Sequence, residues 1–216
     1  MYKNWEVTWS GELPGTPQQI FDGFTRDNAS YMWPVKYEPR VGGAEVGLTS
    51  AGGKVTVWDP PHHFRTEASK DDGWFNRLDY RIDGNHLTLV HHTCIEEDDF
   101  DVQYDACVQH TDLYMHSLGQ YLAHFAGREP HYLGFDDVPG STADVLERLE
   151  IGDAGVGDRI PLGIVDYRDR TMVGVRNQYA LIRVWGRDVW GWPVGVSVHS
   201  FAGPADEAAW REKVGA

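Results

Sequence analysis

DVQYDACVQHTDLYMHSLGQYLAHFA, residues 101–126, carries apolar side chains at helical spacing: Tyr104, Cys107, Val108, Tyr114, Leu118, Tyr121, Leu122 and Phe125. That stripe predicts one long amphipathic helix. Gly127 is a natural stop, and the acids at Glu96, Glu97, Asp98, Asp99 and Asp101 sit where the helix dipole favours negative charge. The residues upstream change period from 3.6 to 2. Lys54 to Trp58, Phe64 to Ser69, Arg77 to Ile82 and residues 87–92 each alternate apolar with polar side chains. Turn signals separate them at Gly52-Gly53, Pro60-Pro61 and Asp83-Gly84-Asn85. The middle of the chain therefore reads as an antiparallel meander with one apolar face. By the same alternation His91 points inward, His92 outward, and Trp58 falls on the outer face, which suggests that the sheet is covered there.

Further upstream, Trp5, Val7 and Trp9 share one face of a strand over residues 5–13. Thr16 is a good N-cap with Pro17 at the first helical position, and Ile20, Phe21 and Phe24 follow at helical spacing, so residues 16–25 read as a short helix. A second helical piece is expected from Asp27 to Trp33, stopped by Pro34. Strand, short helices, meander and long helix in that order make an α+β layout, a sheet curling around the last helix.

Residues 1–127 are expected to form this domain, residues 128–140 (REPHYLGFDDVPG within them) a linker, and residues 141–216 a smaller β-rich extension. The extension reads as a partial internal repeat: Gly163–Asp169 echoes Gly53–Asp59, and Val194–Phe201 aligns without gaps with Leu87–Cys94. A fragment holding only the later part of a sheet-and-helix unit cannot bury its own apolar face. It should pack on the first domain or on a partner subunit, with Trp185, Trp190, Trp192 and Trp210 in contact and a homodimer as one form of that packing.

The 216 residues hold 19 basic and 33 acidic side chains, a formal charge of −14, which excludes the basic footprint of nucleic-acid binding and suits no anionic membrane surface. No stretch approaches the ~20 apolar residues of a membrane span, and no basic-then-apolar leader opens the chain, so a cytoplasmic protein is expected. Nine Trp, ten Tyr and eight Phe argue against disorder. Two cysteines, Cys94 and Cys107, make no disulfide framework and carry no zinc spacing.

Several motifs together resemble the SRPBCC superfamily (START-like, helix-grip fold), most of all the branch related to the activator of the heat-shock-protein-ninety ATPase. They are Thr16-Pro17-Gln18-Gln19-Ile20-Phe21, the Trp33 region, Pro39-Arg40-Val41-Gly42-Gly43, Gly53 through Asp59-Pro60-Pro61, Leu87-Thr88-Leu89-Val90-His91, and Tyr114, Leu118, Tyr121 and Phe125 on the last helix. The resemblance covers a little over half the chain. It implies a curved antiparallel sheet of seven strands wrapped around a long C-terminal helix, with an apolar cavity between. Members bind lipids, polyketides or other apolar molecules; a minority are cyclases or hydrolases, and some are co-chaperones. The chain departs from the pattern at His62-His63, where a basic residue often follows the prolines, and at Leu113-Tyr114, where the helix usually carries Gly-Trp.

The expected ligand-binding residues are Trp33, Phe64, Tyr80, His91, Tyr114 and Leu118, on inward faces or at the cavity mouth. A filled core without ligand accounts for the same residues. Three functions stay open: binding of a small apolar molecule; a cyclase or hydratase using His91 with Tyr80 or Tyr114; and a co-chaperone-like interaction module. No metal motif, nucleophile elbow or phosphate cradle occurs, so neither a metal nor a cofactor is expected. Asp112 with His116, and His110 with Tyr114, lie four apart on the helix and read as surface pairs.

Overall fold

The period-2 segments and the long helix both appear in the computed structural model, which describes residues 1–216. Two units emerge: residues 1–28 with 34–127, and residues 29–33 with 128–216.

In the first unit, β1 (Tyr2–Glu12) and α1 (Pro17–Thr25) precede β2 (Lys36–Tyr37), β3 (Ala44–Val46), β4 (Gly53–Asp59), β5 (His63–Ser69), β6 (Phe75–Asp83) and β7 (His86–Glu96). The helix α2 (Phe100–His124) closes the unit. The seven strands form one antiparallel sheet in the order β1-β7-β6-β5-β4-β3-β2. Thr16 caps α1 through a capping box with Gln19, a motif whose loss costs about 1 kcal/mol. Between β6 and β7 the two-residue turn Gly84-Asn85 places Gly84 at φ +60°, the left-handed conformation that a type II′ hairpin requires at its first position. The expected helix over 27–33 is only a short 3-10 turn at Asn28–Ser30; Asn28 spends its amide on Thr25 and Val35 instead, tying the chain into a turn.

Trp58 is not outward. A β-bulge lies between Val55 and Val57: Val55 faces Thr66, Val57 faces Arg65 and Trp58 faces Phe64. The extra residue, Thr56, shifts the alternation by one, so Trp58 joins the inner face with its ring 5.8 Å from Phe64 and 5.2 Å from Phe21.

The second unit contains β8 (His131–Val138), α3 (Thr142–Arg148), β9 (Arg159–Ile160), β10 (Gly163–Arg168), β11 (Met172–Arg176), β12 (Ala180–Trp185), β13 (Val194–Ser200) and α4 (Glu207–Val214). Its antiparallel sheet runs β8-β13-β12-β11-β10-β9. Two expectations are corrected here. The segment 128–140 is not a linker: it holds β8, paired with β13 through Val198↔Leu133 and His199↔Tyr132. Nor is the repeat partial. Strand β8, helix α3, five strands and helix α4 follow the order of the first unit without its short β2, and each sheet places its last strand beside its first. Even the bulge recurs: β10 is irregular between Val165 and Tyr167, the residues aligned with Val55 and Val57. In both units the bulged residue's side chain takes an arginine, Thr56 from Arg65 at 2.8 Å and Asp166 from Arg183 at 3.0 Å.

Being complete, the second unit buries its own apolar face. Val145, Leu146 and Leu149 around α3, Val214 of α4, and Val173, Ile182, Val184, Val196 and Val198 from the strands form one core, with Trp210 packed against it. Trp185 is buried as well, so the tail's tryptophans are partly consumed within the unit.

Candidate functional site

The helix-facing side of the first sheet divides into two regions. One is a packed ring cluster. Phe64 is fully buried and lies 4.8 Å from Tyr37, 5.9 Å from Phe24 and 5.9 Å from Tyr80 between ring centroids, while Phe24 stacks on Tyr80 at 4.4 Å. Leu118 is fully buried too. Such arrangements gain dispersion and quadrupole terms beyond area burial. Three of the expected ligand residues, Phe64, Tyr80 and Leu118, are buried in the core of this unit.

The other region is polar and half-buried. His91 of β7 lies beside Val7 and Leu78 in the sheet, on the face turned to α2. Its Nε2 is 2.7 Å from Asn76 Oδ1 on β6, and its Nδ1 is 3.2 Å from Cys107 Sγ on α2. An amide oxygen only accepts, so Nε2 carries the proton and Nδ1 presents a lone pair to the thiol. Cys107 Sγ also lies 4.0 Å from Thr111 Oγ1 one turn along the helix. Burial first, and the charge of neighbouring His92 second, lower the His91 pKa to about 4, so the ring is neutral at pH 7. Burial raises the Cys107 pKa to about 12, so the thiol keeps its proton. The Trp5 ring meets His91 edge-on at 5.2 Å and Tyr104 at 5.6 Å, and its indole N–H is buried with no hydrogen-bond partner.

The remaining expected residues lie elsewhere. Tyr114 is half-buried with its ring 5.9 Å from His110, while its neighbours Leu113 and Met115 are fully buried. Trp33 falls in the 29–33 segment that belongs to the second unit. Sequence reasoning missed Asn76 and Cys107 as site residues. For Asn76 a signal existed: extending the alternation of Leu78, Tyr80 and Ile82 back by one step places an amide on the inner face.

The repeat provides an internal comparison. Where the first sheet has Asn76 opposite Thr93 and His91 beside Leu78, the second has Ala180 opposite Ser200 and Val198 beside Ile182. Ala180, Ile182 and Val198 are all buried. The second sheet fills the positions of Asn76 and His91 with apolar side chains, so that polar pair is no requirement of the architecture.

The opposite face of the first sheet holds a groove of about 300 Å³ lined by Glu6, Arg65, Arg77, Asp79, Arg81, Val90 and His92. Its charges are largely matched: Arg77 binds Glu67 through two contacts of 3.0 and 3.2 Å, and Asp79 accepts from Arg81 and bonds His63, both at 3.0 Å. No group of three or more His, Cys, Asp or Glu side chains is arranged to hold a metal ion. No helix is long and apolar enough to cross a membrane.

No protein-family profile matches the chain. No curated protein matches it either. Among solved structures it is similar to MLL2253 from Mesorhizobium loti, at 12% identity over 56% of this chain and 98% of that one, with a TM-score of 0.48. CalU16 from Micromonospora echinospora aligns at 14% identity over 56% of this chain and 74% of its own, with a TM-score of 0.41. DynU16, from the dynemicin biosynthetic locus, aligns across both units, at 14% identity over 96% of this chain and 93% of its own, with a TM-score of 0.45.

Proposed function

We propose that the first unit is a helix-grip binding domain that takes a small, mainly apolar molecule between α2 and its sheet. The ring cluster forms the floor and the His91 end the mouth. The observation that carries this reading is the half-buried polar trio of Asn76, His91 and Cys107, two of which, Asn76 and His91, stand where the sister unit has Ala180 and Val198. Polar groups placed against a core cost free energy unless they are hydrogen-bonded; Asn76, His91 and Cys107 bond one another, and the buried Trp5 indole N–H is the donor left for a ligand. The trio is uncharged at neutral pH, which favours a neutral ligand with one or two polar atoms over an ion.

The acid–base alternative loses its proposed partner. Both ring nitrogens of His91 are engaged, by Asn76 and Cys107 and by neither Tyr80 nor Tyr114. Titration of the protein with a panel of aromatic ketones and long-chain amides, followed by tryptophan fluorescence, tests the binding reading. A saturable change that is lost in Trp5→Phe is expected. Silence across the panel contradicts it.

A further inference from the structure

We propose that Cys107 is an acyl acceptor, with His91 as its general base and Asn76 as the positioning residue, and that it takes the acyl group from an ester or thioester of an apolar acid. The proposal rests on the binding reading above, because the same space must admit the acyl chain.

The geometry has the three parts that nucleophilic catalysis needs: a nucleophile within hydrogen-bond reach of a base, a base held by a third group, and a donor near the reacting carbonyl. Cys107 Sγ is 3.2 Å from His91 Nδ1, and the far nitrogen is anchored 2.7 Å from Asn76 Oδ1. All three residues stand on regular elements, α2, β7 and β6, so their relative placement does not depend on a loop. Trp5 supplies the third part, the donor. Its ring lies against His91, and its N–H is a buried donor without an acceptor, the kind of group a carbonyl oxygen or developing oxyanion satisfies.

In the step proposed, Cys107 Sγ forms a bond to the carbonyl carbon while its proton passes to His91 Nδ1 and the C=O electron pair moves onto oxygen. The carbonyl then re-forms, the carbon–leaving-group bond breaks, and His91 returns the proton to the departing alcohol or thiol. One ester or thioester and one thiol become one Cys107 thioester and one alcohol or thiol, with nothing oxidised or reduced. Because thiol and imidazole rest uncharged, the proton moves during attack rather than before it. The rate should therefore be flat in pH across neutrality, whereas a pre-ionised thiol speeds up about tenfold per pH unit below its own pKa.

The test uses the full chain with p-nitrophenyl octanoate as acyl donor and N-phenyloctanamide as an unreactive ligand of similar shape. Intact mass and peptide mapping should show one octanoyl group on Cys107, formed at a rate that saturates with ester and stays flat between about pH 6 and about pH 8. In His91→Gln that rate should fall by ~100-fold or more and regain a rise with pH, the loss expected of a general base. Cys107→Ser should lose the thioester. Acylation confined to lysines, or equal labelling of Cys107 in His91→Gln and wild type, overturns the proposal. If N-phenyloctanamide binds saturably but Cys107 is never acylated, the acyl-acceptor proposal fails and the binding reading stands. If Cys107 is acylated through His91 with a rate strictly linear in ester and the amide does not bind, the binding reading fails instead. Peptide mapping of the wild type keeps the proposal decidable even if a variant misfolds.

Discussion

Lowering the pH through the range where free histidine titrates should destabilise the first unit through His91. Its pKa drops from 6.5 to about 4 on folding, chiefly because the ring is desolvated. Between those values the unfolded chain binds the proton and the folded one does not, so stability is highest above pH 6.5 and falls as pH is lowered. The loss is complete below about pH 4, where both states are protonated. At 1.36 kcal/mol per pH unit, the 2.5-unit gap amounts to ~3 kcal/mol in all, of which about 2.5 kcal/mol has been lost by about pH 4.5. Urea unfolding at about pH 7.5 and about pH 4.5, on wild type and His91→Gln, isolates this contribution, since the variant retains the other titrating groups but not this one. NMR titration of the His91 ring gives the folded pKa directly. A folded pKa near 6.5, or equal pH dependence in the two proteins, would show that folding does not desolvate the His91 ring.

Phe64→Ala should cost about 3–5 kcal/mol, because a fully buried ring touching several others leaves a cavity that they cannot collapse into; thermal unfolding measures it. Asp166→Ala should cost about 3–5 kcal/mol in the second unit, since it strands the Arg183 guanidinium at 1% exposure, whereas replacing both residues by apolar ones should cost much less; a double-mutant cycle separates the two cases. Thr16→Ala should remove the capping box of α1 and cost about 1 kcal/mol by urea denaturation. His199, fully buried, with its ring hydrogen-bonded to the Ala29 carbonyl and Ser197, has its pKa lowered to about 3 by burial. It should therefore stay unprotonated in an NMR titration well below pH 5.

Much of the fold was readable wherever the alternation ran unbroken. β1, β5, β6 and β7 and the helix α2 lie close to where periodicity puts them. The misplacement of Trp58 came from a single inserted residue, Thr56, which is invisible in hydropathy because Val57 and Val55 look alike on either side of it. The β8 segment reads as a linker in the sequence because Pro130, Gly134 and Asp136-Asp137 carry the composition of a loop. Gly134 is there for space, since a Cβ would collide with the Tyr132 side chain. With β8 unassigned the second unit lacked its first strand, and its completeness could not be seen. At the candidate site, the inward direction of His91 and the place of Cys107 on the helix stripe followed from period alone. Their meeting did not, because it depends on how α2 docks across β6 and β7, a long-range packing outcome. The ring residues were equally legible, but periodicity cannot separate a packed floor from a lined cavity.

We propose that the polar His91 end of the first unit receives a small apolar ligand. A ¹H–¹⁵N correlation experiment during titration with N-phenyloctanamide tests it most directly. Saturable shifts centred on the Trp5 indole N–H, the Asn76 side-chain amide and the backbone of His91 and Cys107 are predicted. No shifts at all, or shifts centred on the opposite face around Arg65, Arg77 and Arg81, would contradict it.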